Sequence, residues 1–362
     1  MSFENVHPNL IIEPFCSGSH RQLVTFIEEN YKCDCISLTG KKWHWRARCS
    51  ALYISQKLPK SHSYKTIFAS SVLNLAELLA LRPDLQSTRK ILYFHENQLI
   101  YPIQRTKDGD YQYGYNQILS SMVADDVYFN SKFNMNSFLG TIKSFIKKIP
   151  DYAPSNIENE IEMKCKVLYF PVSLPNIEKP MVTTSEEEKS KDPIHFVWPH
   201  RWEHDKNPDL FFNTLFKLLE EGLDFKVSIL GEQYEEIPAI FNIGKERLKE
   251  KIQNWGFAES KSEFFRILST CDVVVSTAIH EFFGVSMIEA THIGCQPLAP
   301  NRLSYPEIFP ESCLYNTDTQ LLSKMRKFCK RPDILRRREK IEVSKYSSTV
   351  LKKEYDELFN NK

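Results

Sequence analysis

The segment richest in potential chemistry is H-E-F-F-G-V-S-M-I-E-A, in which Glu281 and Glu289 stand with seven residues between them. F-G-V-S reads as a turn from a strand into a helix. The backbone N–H groups of Gly284, Val285 and Ser286 are then the unpaired donors of a helix start, which attract an anion. Gly284 has no Cβ and lets a ligand approach the backbone. Glu281 precedes the turn and can reach a sugar hydroxyl. Glu289 lies about one and a half turns into the helix, where a carboxylate can take both hydroxyls of a ribose. A second segment, H-R-W-E-H-D-K-N-P, follows the apolar run I-H-F-V-W. Its Arg201 offers a fork for phosphate oxygens and its Lys206 a point charge. Either segment alone reads most simply as solvated surface charge. Both together, in this order, predict a diphosphate clamp.

The first half carries further candidates. His95 closes the run K-I-L-Y-F-H at its carboxyl end and points into the expected cleft; a satisfied core histidine is the alternative. Glu96 and Asn97 follow and could hold acceptor hydroxyls. Gly18 and Ser19 follow the first strand and present backbone N–H groups, or form a plain turn. Asn130 and Ser131 end another strand and line the same cleft. Lys41, Lys42, Trp43, His44, Trp45, Arg46 and Arg48 mix charge with stacking surface, as backbone phosphates and unstacked bases require. The alternative places Trp43 or Trp45 partly in the core. His200 and His204 flank Arg201, in supporting or surface roles rather than as metal ligands. Asp108-Gly109-Asp110 reads as a turn rather than a metal site. No metal is expected, because the clamp already supplies positive charge.

Placing these residues requires alternating strands and helices. Strands are predicted at Leu10–Phe15, Cys35–Thr39, Thr66–Ser70, Lys90–His95, Asp125–Ser131 and Lys166–Pro171, with helices at 20–29, 47–57 and 72–80. K-K-W-H-W-R-A-R is read as a loop. The polar stretch 176–193 is a linker or mobile loop, and the pattern then restarts: strand, helix (208–221), strand. D-V-V-V-S-T and Q-P-L-A-P are strands on either side of a helix that begins at Val285, and the tail is helical. Near-continuous apolar strands alternating with helices imply parallel, doubly wound sheets with ligands at the strands' carboxyl ends. The expected domains are 1–175, a linker at 176–193, 194–335 and a C-terminal crossover helix at 336–362.

Composition narrows the class. The 362 residues are 42% hydrophobic, enough for true cores. The net charge of +1 excludes a histone-like protein, yet residues 1–150 hold 18 Lys and Arg against 12 Asp and Glu, net +6. That half has room for an anionic partner. Nine cysteines without a C-x-x-C pair fit a reducing compartment, cytosol or nucleus. The first residues carry Glu4 and Asn5 where a signal peptide would want an apolar run, so none is expected, and no run of 18 apolar residues is present. No G-x-G-x-x-G follows a strand, which counts against a dehydrogenase.

Arg201, Lys206, Glu281 and Glu289 resemble, position by position, the donor site of retaining glycosyltransferases of the GT-B fold with an E-x7-E motif. The resemblance covers about residues 194–310, and G-C-Q-P-L-A-P-N-R-L-S-Y-P-E continues it to Glu307. It implies two Rossmann-like α/β domains facing across a cleft, with the C-terminal helix crossing back. The basic pair would hold the donor diphosphate, Glu281 the transferred sugar and Glu289 the ribose, with His95 against the sugar. In the first half, E-P-F-C-S-G-S-H, K-K-W-H-W-R and Y-F-H-E-N-Q-L-I-Y-P resemble the tRNA-queuosine mannosyltransferase family. That resemblance implies GDP-mannose as donor and queuosine in the anticodon of tRNA(Asp) as acceptor, with no membrane and no obligate protein partner. Alternatives are a GT-B enzyme acting on a lipid or saccharide, or a non-catalytic nucleic-acid-binding protein.

Overall fold

The computed structural model describes residues 7–101, 111–150, 152–176, 192–233 and 237–360. Asp108 and Asp110 lie outside the described residues, as does most of the 176–193 stretch. The chain divides into two compact units, 1–173 with 346–362, and 174–345.

The first unit is a six-stranded parallel sheet in the order β2-β1-β3-β4-β5-β6, built from Asn9–Cys16 (β1), Cys33–Thr39 (β2), Thr66–Ser70 (β3), Arg89–Phe94 (β4), Asp126–Phe129 (β5) and Cys165–Val167 (β6). Ile91, Leu92, Tyr93 and Phe94 of β4 are completely buried. A central parallel strand covered on both faces cannot alternate with polar residues. Helices Gly18–Asn30 (α1), Trp43–Lys57 (α2), Leu75–Leu81 (α3), Tyr111–Val123 (α4), Lys132–Ile146 (α5) and Ile157–Glu162 (α6) accompany the sheet. The C-terminal helix Ser348–Phe359 belongs to this unit. It is tied by the Val172–Ser347 bridge, by Tyr355 Oη donating to the Tyr169 carbonyl at 3.2 Å, and by Phe359 against Phe68.

The second unit repeats the plan in the order β12-β11-β10-β7-β8-β9. Its strands are Ile194–Pro199 (β7), Phe225–Leu230 (β8), Ile252–Gly256 (β9), Val273–Val275 (β10), Gln296–Pro300 (β11) and Leu314–Tyr315 (β12). All its pairings are parallel, and Phe196, Trp198, Val227, Ile229, Val273 and Val275 form its core with Phe211, Phe212 and Leu215 of the helix Pro208–Glu220.

The order reverses between β1 and β3 in the first unit and between β7 and β10 in the second. In open α/β sheets, ligands bind beside the carboxyl ends of the strands at that reversal. Strand order depends on which crossover packs where, so the sequence does not disclose it.

One expectation is corrected. K-K-W-H-W-R-A-R is not a loop beyond Lys42: helix α2 begins at Trp43. Lys42 adopts a left-handed φ of 55° that ends the preceding turn. From Trp43 to Leu58 no Gly or Pro interrupts the chain. Ala47, Ser50, Ala51, Ile54 and Ser55 then bury a stripe at helical spacing. Aromatic and basic side chains around that stripe disguise its period.

Candidate functional site

In the second unit, the turn after β7 is fastened to the segment after β10. Asp205 accepts on its backbone carbonyl from the amides of Ile279 (2.9 Å) and His280 (3.2 Å), and Thr277 Oγ1 donates to the Lys206 carbonyl at 2.8 Å. Lys206 is thereby buried, with 7% exposure. Its ammonium donates to the His280 carbonyl at 2.8 Å and the Glu281 carboxylate at 3.2 Å, and lies 3.1 Å from Asp205. Burial alone would raise the Glu281 carboxyl. The charge of Lys206 overrides it, with help from His200 and the Phe283 amide, and holds the group at about 2. Glu281 is an anion at any working pH. His200 beside it is pushed down to about 4, first by burial and then by Lys206, and so is neutral.

Glu281 Oε1 also accepts from the Phe282 amide at 3.2 Å, which turns the chain toward Gly284. Gly284 has φ 84°, and a Cβ there would lie 3.1 Å from the Tyr305 ring. Only glycine fits both the dihedral and the space. Helix Val285–Ile293 starts immediately afterwards. Gly231 is just as constrained: at φ 133°, a Cβ would fall 1.8 Å from the His200 carbonyl oxygen.

Arg201 is more open, with its side chain 45% exposed and its guanidinium 3.1 Å from Glu203. Two cations, Arg201 and Lys206, thus stand among three carboxylates, Glu203, Asp205 and Glu281. These carboxylates offset the two cations, so the backbone N–H groups at the helix start are a further source of attraction for an anion. Glu289 is buried, its carboxyl raised by burial against the opposing charge of Lys261, which lies 2.5 Å from it. His204 is exposed. Glu307 lies in the short helix Tyr305–Ile308.

In the first unit, His95 follows β4 and is 5% exposed. Asn130 Nδ2 donates to its carbonyl at 2.7 Å, Asn134 Nδ2 to Asn130 Oδ1 at 2.9 Å, and Asn97 Nδ2 to Asn134 Oδ1, also at 2.9 Å. Ser131 Oγ caps α5 by accepting from the Asn134 amide. Asn97, Asn130 and Ser131 are therefore interior residues, and Asn130 fixes the backbone at His95. All three meet Asn134, whose side chain and amide they share. Glu96 reaches His20 instead, at 3.3 Å. Gly18 and Ser19 form the first turn of α1.

Helix α2 separates its two tryptophans. Trp43 packs on Tyr113, with ring centroids 4.9 Å apart, whereas Trp45 is 67% exposed. Two residues along a helix rotate a side chain by about 200°, so both cannot face the same way. Lys41, Lys42 and Arg48 are exposed, and Arg46 donates to Thr39 Oγ1 at 3.0 Å. From Cys35 to Ala76 the chain carries seven Lys and Arg and no acidic residue.

Sequence reasoning missed Glu13, His20, Asp205, Lys261 and Tyr305. Only Glu13 left a signal: a carboxylate inside the apolar strand L-I-I-E-P-F.

Residues 9–172 match the family described as tRNA-queuosine alpha-mannosyltransferase N-terminal, and residues 183–329 match glycosyl transferases group 1. A tRNA-queuosine alpha-mannosyltransferase from Drosophila melanogaster is 49% identical over 97% of this chain and 96% of its own. The chain belongs to the tRNA-queuosine alpha-mannosyltransferase family. It is a glycosyltransferase. Solved structures share the GT-B fold at low identity. Anabaena HepE, determined with UDP, aligns at TM-score 0.66 and 14% identity over 98% of this chain and all of its own. A glycosyltransferase from Rickettsia africae aligns at 0.66 and 18%, covering 98% of both chains. Among the described residues no helix is long and apolar enough to cross a membrane.

Proposed function

We propose that this member of the family transfers mannose from GDP-mannose, with retention at the anomeric carbon, to the cyclopentenediol of queuosine in the anticodon of tRNA(Asp). The observation that carries the reading is the 49% identity with a relative of that name along nearly the whole chain. In this reading Arg201, Lys206 and the amides of Gly284, Val285 and Ser286 hold the diphosphate. Glu281, fixed as an anion, accepts from sugar hydroxyls and donates no proton. Glu289 takes the ribose hydroxyls, with Lys261 beside it as countercharge. His95 orients the sugar.

The anomeric C–O bond to phosphate breaks while the acceptor hydroxyl enters from the same face. The leaving phosphate oxygen takes the hydroxyl proton, so the products are GDP and mannosylated tRNA. No carboxylate nucleophile or metal is required. Catalysis consists of positioning and of stabilising the departing diphosphate. Lys41, Lys42, Trp45, Arg46 and Arg48 supply cations and a stacking ring for RNA, while Trp43 keeps the helix in place. The compartment is a reducing one, cytoplasm or nucleus.

The test incubates the protein with queuosine-containing tRNA and a panel of nucleotide sugars, then weighs the released nucleoside. A hexose added only with GDP-mannose, and only to tRNA(Asp), is the expected result. Transfer from UDP-sugars, or to tRNA lacking queuosine, overturns it.

A further inference from the structure

The first unit buries a titratable cluster that the reaction above does not use. His20, in the first turn of α1, is 7% exposed, and both its ring nitrogens are engaged. Nδ1 is 2.9 Å from Glu13 Oε2 and Nε2 is 3.3 Å from Glu96 Oε2. Glu13 is itself held, its Oε1 accepting from Ser70 Oγ and from the Phe15 amide, both at 2.9 Å. On the face of His20 lies His95, with ring centroids 3.8 Å apart and planes 26° from parallel. Among the described residues neither ring nitrogen of His95 has a hydrogen-bond partner. A fully buried imidazole with two idle nitrogens is costly unless something arrives to use them.

We propose that His20, clamped between Glu13 and Glu96, is the positioning residue for His95: it is the surface on which that imidazole lies, and it leaves both His95 nitrogens for hydroxyls of the donor sugar. The proposal rests on the reading of His95 as the sugar-facing residue.

Three features support it. Both ends of the His20 ring are fixed by carboxylates, so the ring cannot turn. Asn130 fixes the His95 backbone by donating to its carbonyl at 2.7 Å. The charged groups facing His20 are Glu13 on β1 and Glu96 after β4, and the group facing His95 is His20. Burial acts to lower His20, but the two carboxylates outweigh it and raise it to about 10. Burial and the adjacent His20 charge together push His95 well below its usual value. His95 is therefore one donor and one acceptor, the pair a sugar hydroxyl requires.

A shared metal ion is the competing account, because ligand atoms of Glu13, His20 and His95 lie within 4.8 Å of one another. Stacked rings oppose it. A metal binds in the plane of each imidazole, and two nearly parallel rings have no common in-plane point between them. Both His20 nitrogens are also already paired with carboxylates.

The experiment uses full-length protein with histidine-specific isotope labelling and steady-state kinetics. In the wild type, His20 is expected to give imidazolium signals up to about pH 9, and His95 to stay neutral well below the ordinary histidine range. His20→Gln is expected to lower kcat by about 10–100-fold with donor KM changed less than 3-fold. It should also bring the His95 titration up into the pH 5–8 range, with a new acid limb in the kcat profile. Should that variant fail to fold, the wild-type titration still decides. A wild-type His95 titrating near its ordinary value of about 6.5 overturns the proposal. So does a folded His20→Gln protein with normal kcat, or one equivalent of Zn²⁺ bound by wild type and lost in the variant. His95→Ala separates the two readings: normal turnover there removes the sugar-facing role itself. Impaired His95→Ala beside normal His20→Gln removes only the positioning role.

Discussion

The Lys206 ammonium meets the Glu281 carboxylate at 3.2 Å across 75 residues of sequence. The contact joins the turn after β7 to the segment after β10, the two strands between which the sheet order reverses. One ion pair therefore ties these two segments together and sets the ionisation of its carboxylate.

Arg201 and Lys206 should separate by stability. Arg201→Ala and Lys206→Ala are both expected to lower turnover by about 10²–10³. Only Lys206→Ala leaves buried carboxylates without their cation, at about 3–5 kcal/mol. Arg201 is half exposed, and its loss should change stability by less than about 0.5 kcal/mol. Urea unfolding alongside turnover tests both. Near-normal turnover in folded Arg201→Ala would remove the diphosphate assignment.

His20 predicts a loss of stability toward alkaline pH. Its folded value, raised to about 10, exceeds the unfolded value of about 6.5. The charged cluster is thus fully stabilising below pH 6.5 and fades as pH rises through 10. Unfolding midpoints at about pH 6, 8 and 10 should fall more steeply in wild type than in His20→Gln. Parallel slopes would show that His20 carries no such linkage.

Glu281 has the opposite sign. Its folded value of about 2 lies below the unfolded value of about 4.3. Its contribution is present above pH 4.3 and disappears as pH falls through 2. Glu281→Gln should flatten the acid limb of the stability profile and abolish transfer while GDP still binds, which calorimetry can read.

Metal removal should be harmless. Activity is expected to persist in excess EDTA, and Asp110→Asn should be mild. Loss in EDTA restored by Mg²⁺ or Mn²⁺ would assign a metal to the reaction.

The two tryptophans of α2 should behave differently. Trp45→Ala should leave melting unchanged and weaken tRNA binding by about 1–3 kcal/mol. Trp43→Ala should lower the melting temperature, because its ring packs on Tyr113. Replacing Lys41, Lys42, Arg46 and Arg48 with Ala should reduce the salt slope of tRNA binding by about 0.7–0.9 for each phosphate left without its cation. Unchanged tRNA affinity in all these variants would move the RNA surface elsewhere.

The sequence alone determined what is local. Apolar runs such as K-I-L-Y-F and D-V-V-V mark buried strands, because a strand covered on both faces must be apolar at every position. H-E-F-F-G-V-S discloses a helix start, because glycine before an apolar helical pattern has few other uses. Glu281 and Glu289 stand on either side of one helix start, Glu281 before the turn and Glu289 inside the helix. The tertiary structure decided what depends on residues far apart in the chain. Whether Lys206 is surface or buried depends on where Ile279 and His280 pass. Asn97 and Asn130 turned inward because α5 brings Asn134 between them. His20 and His95, 75 residues apart, stack only because α1 and the end of β4 converge near the reversal of the sheet order. No single segment encodes that meeting, because it depends on which crossover packs beside which strand.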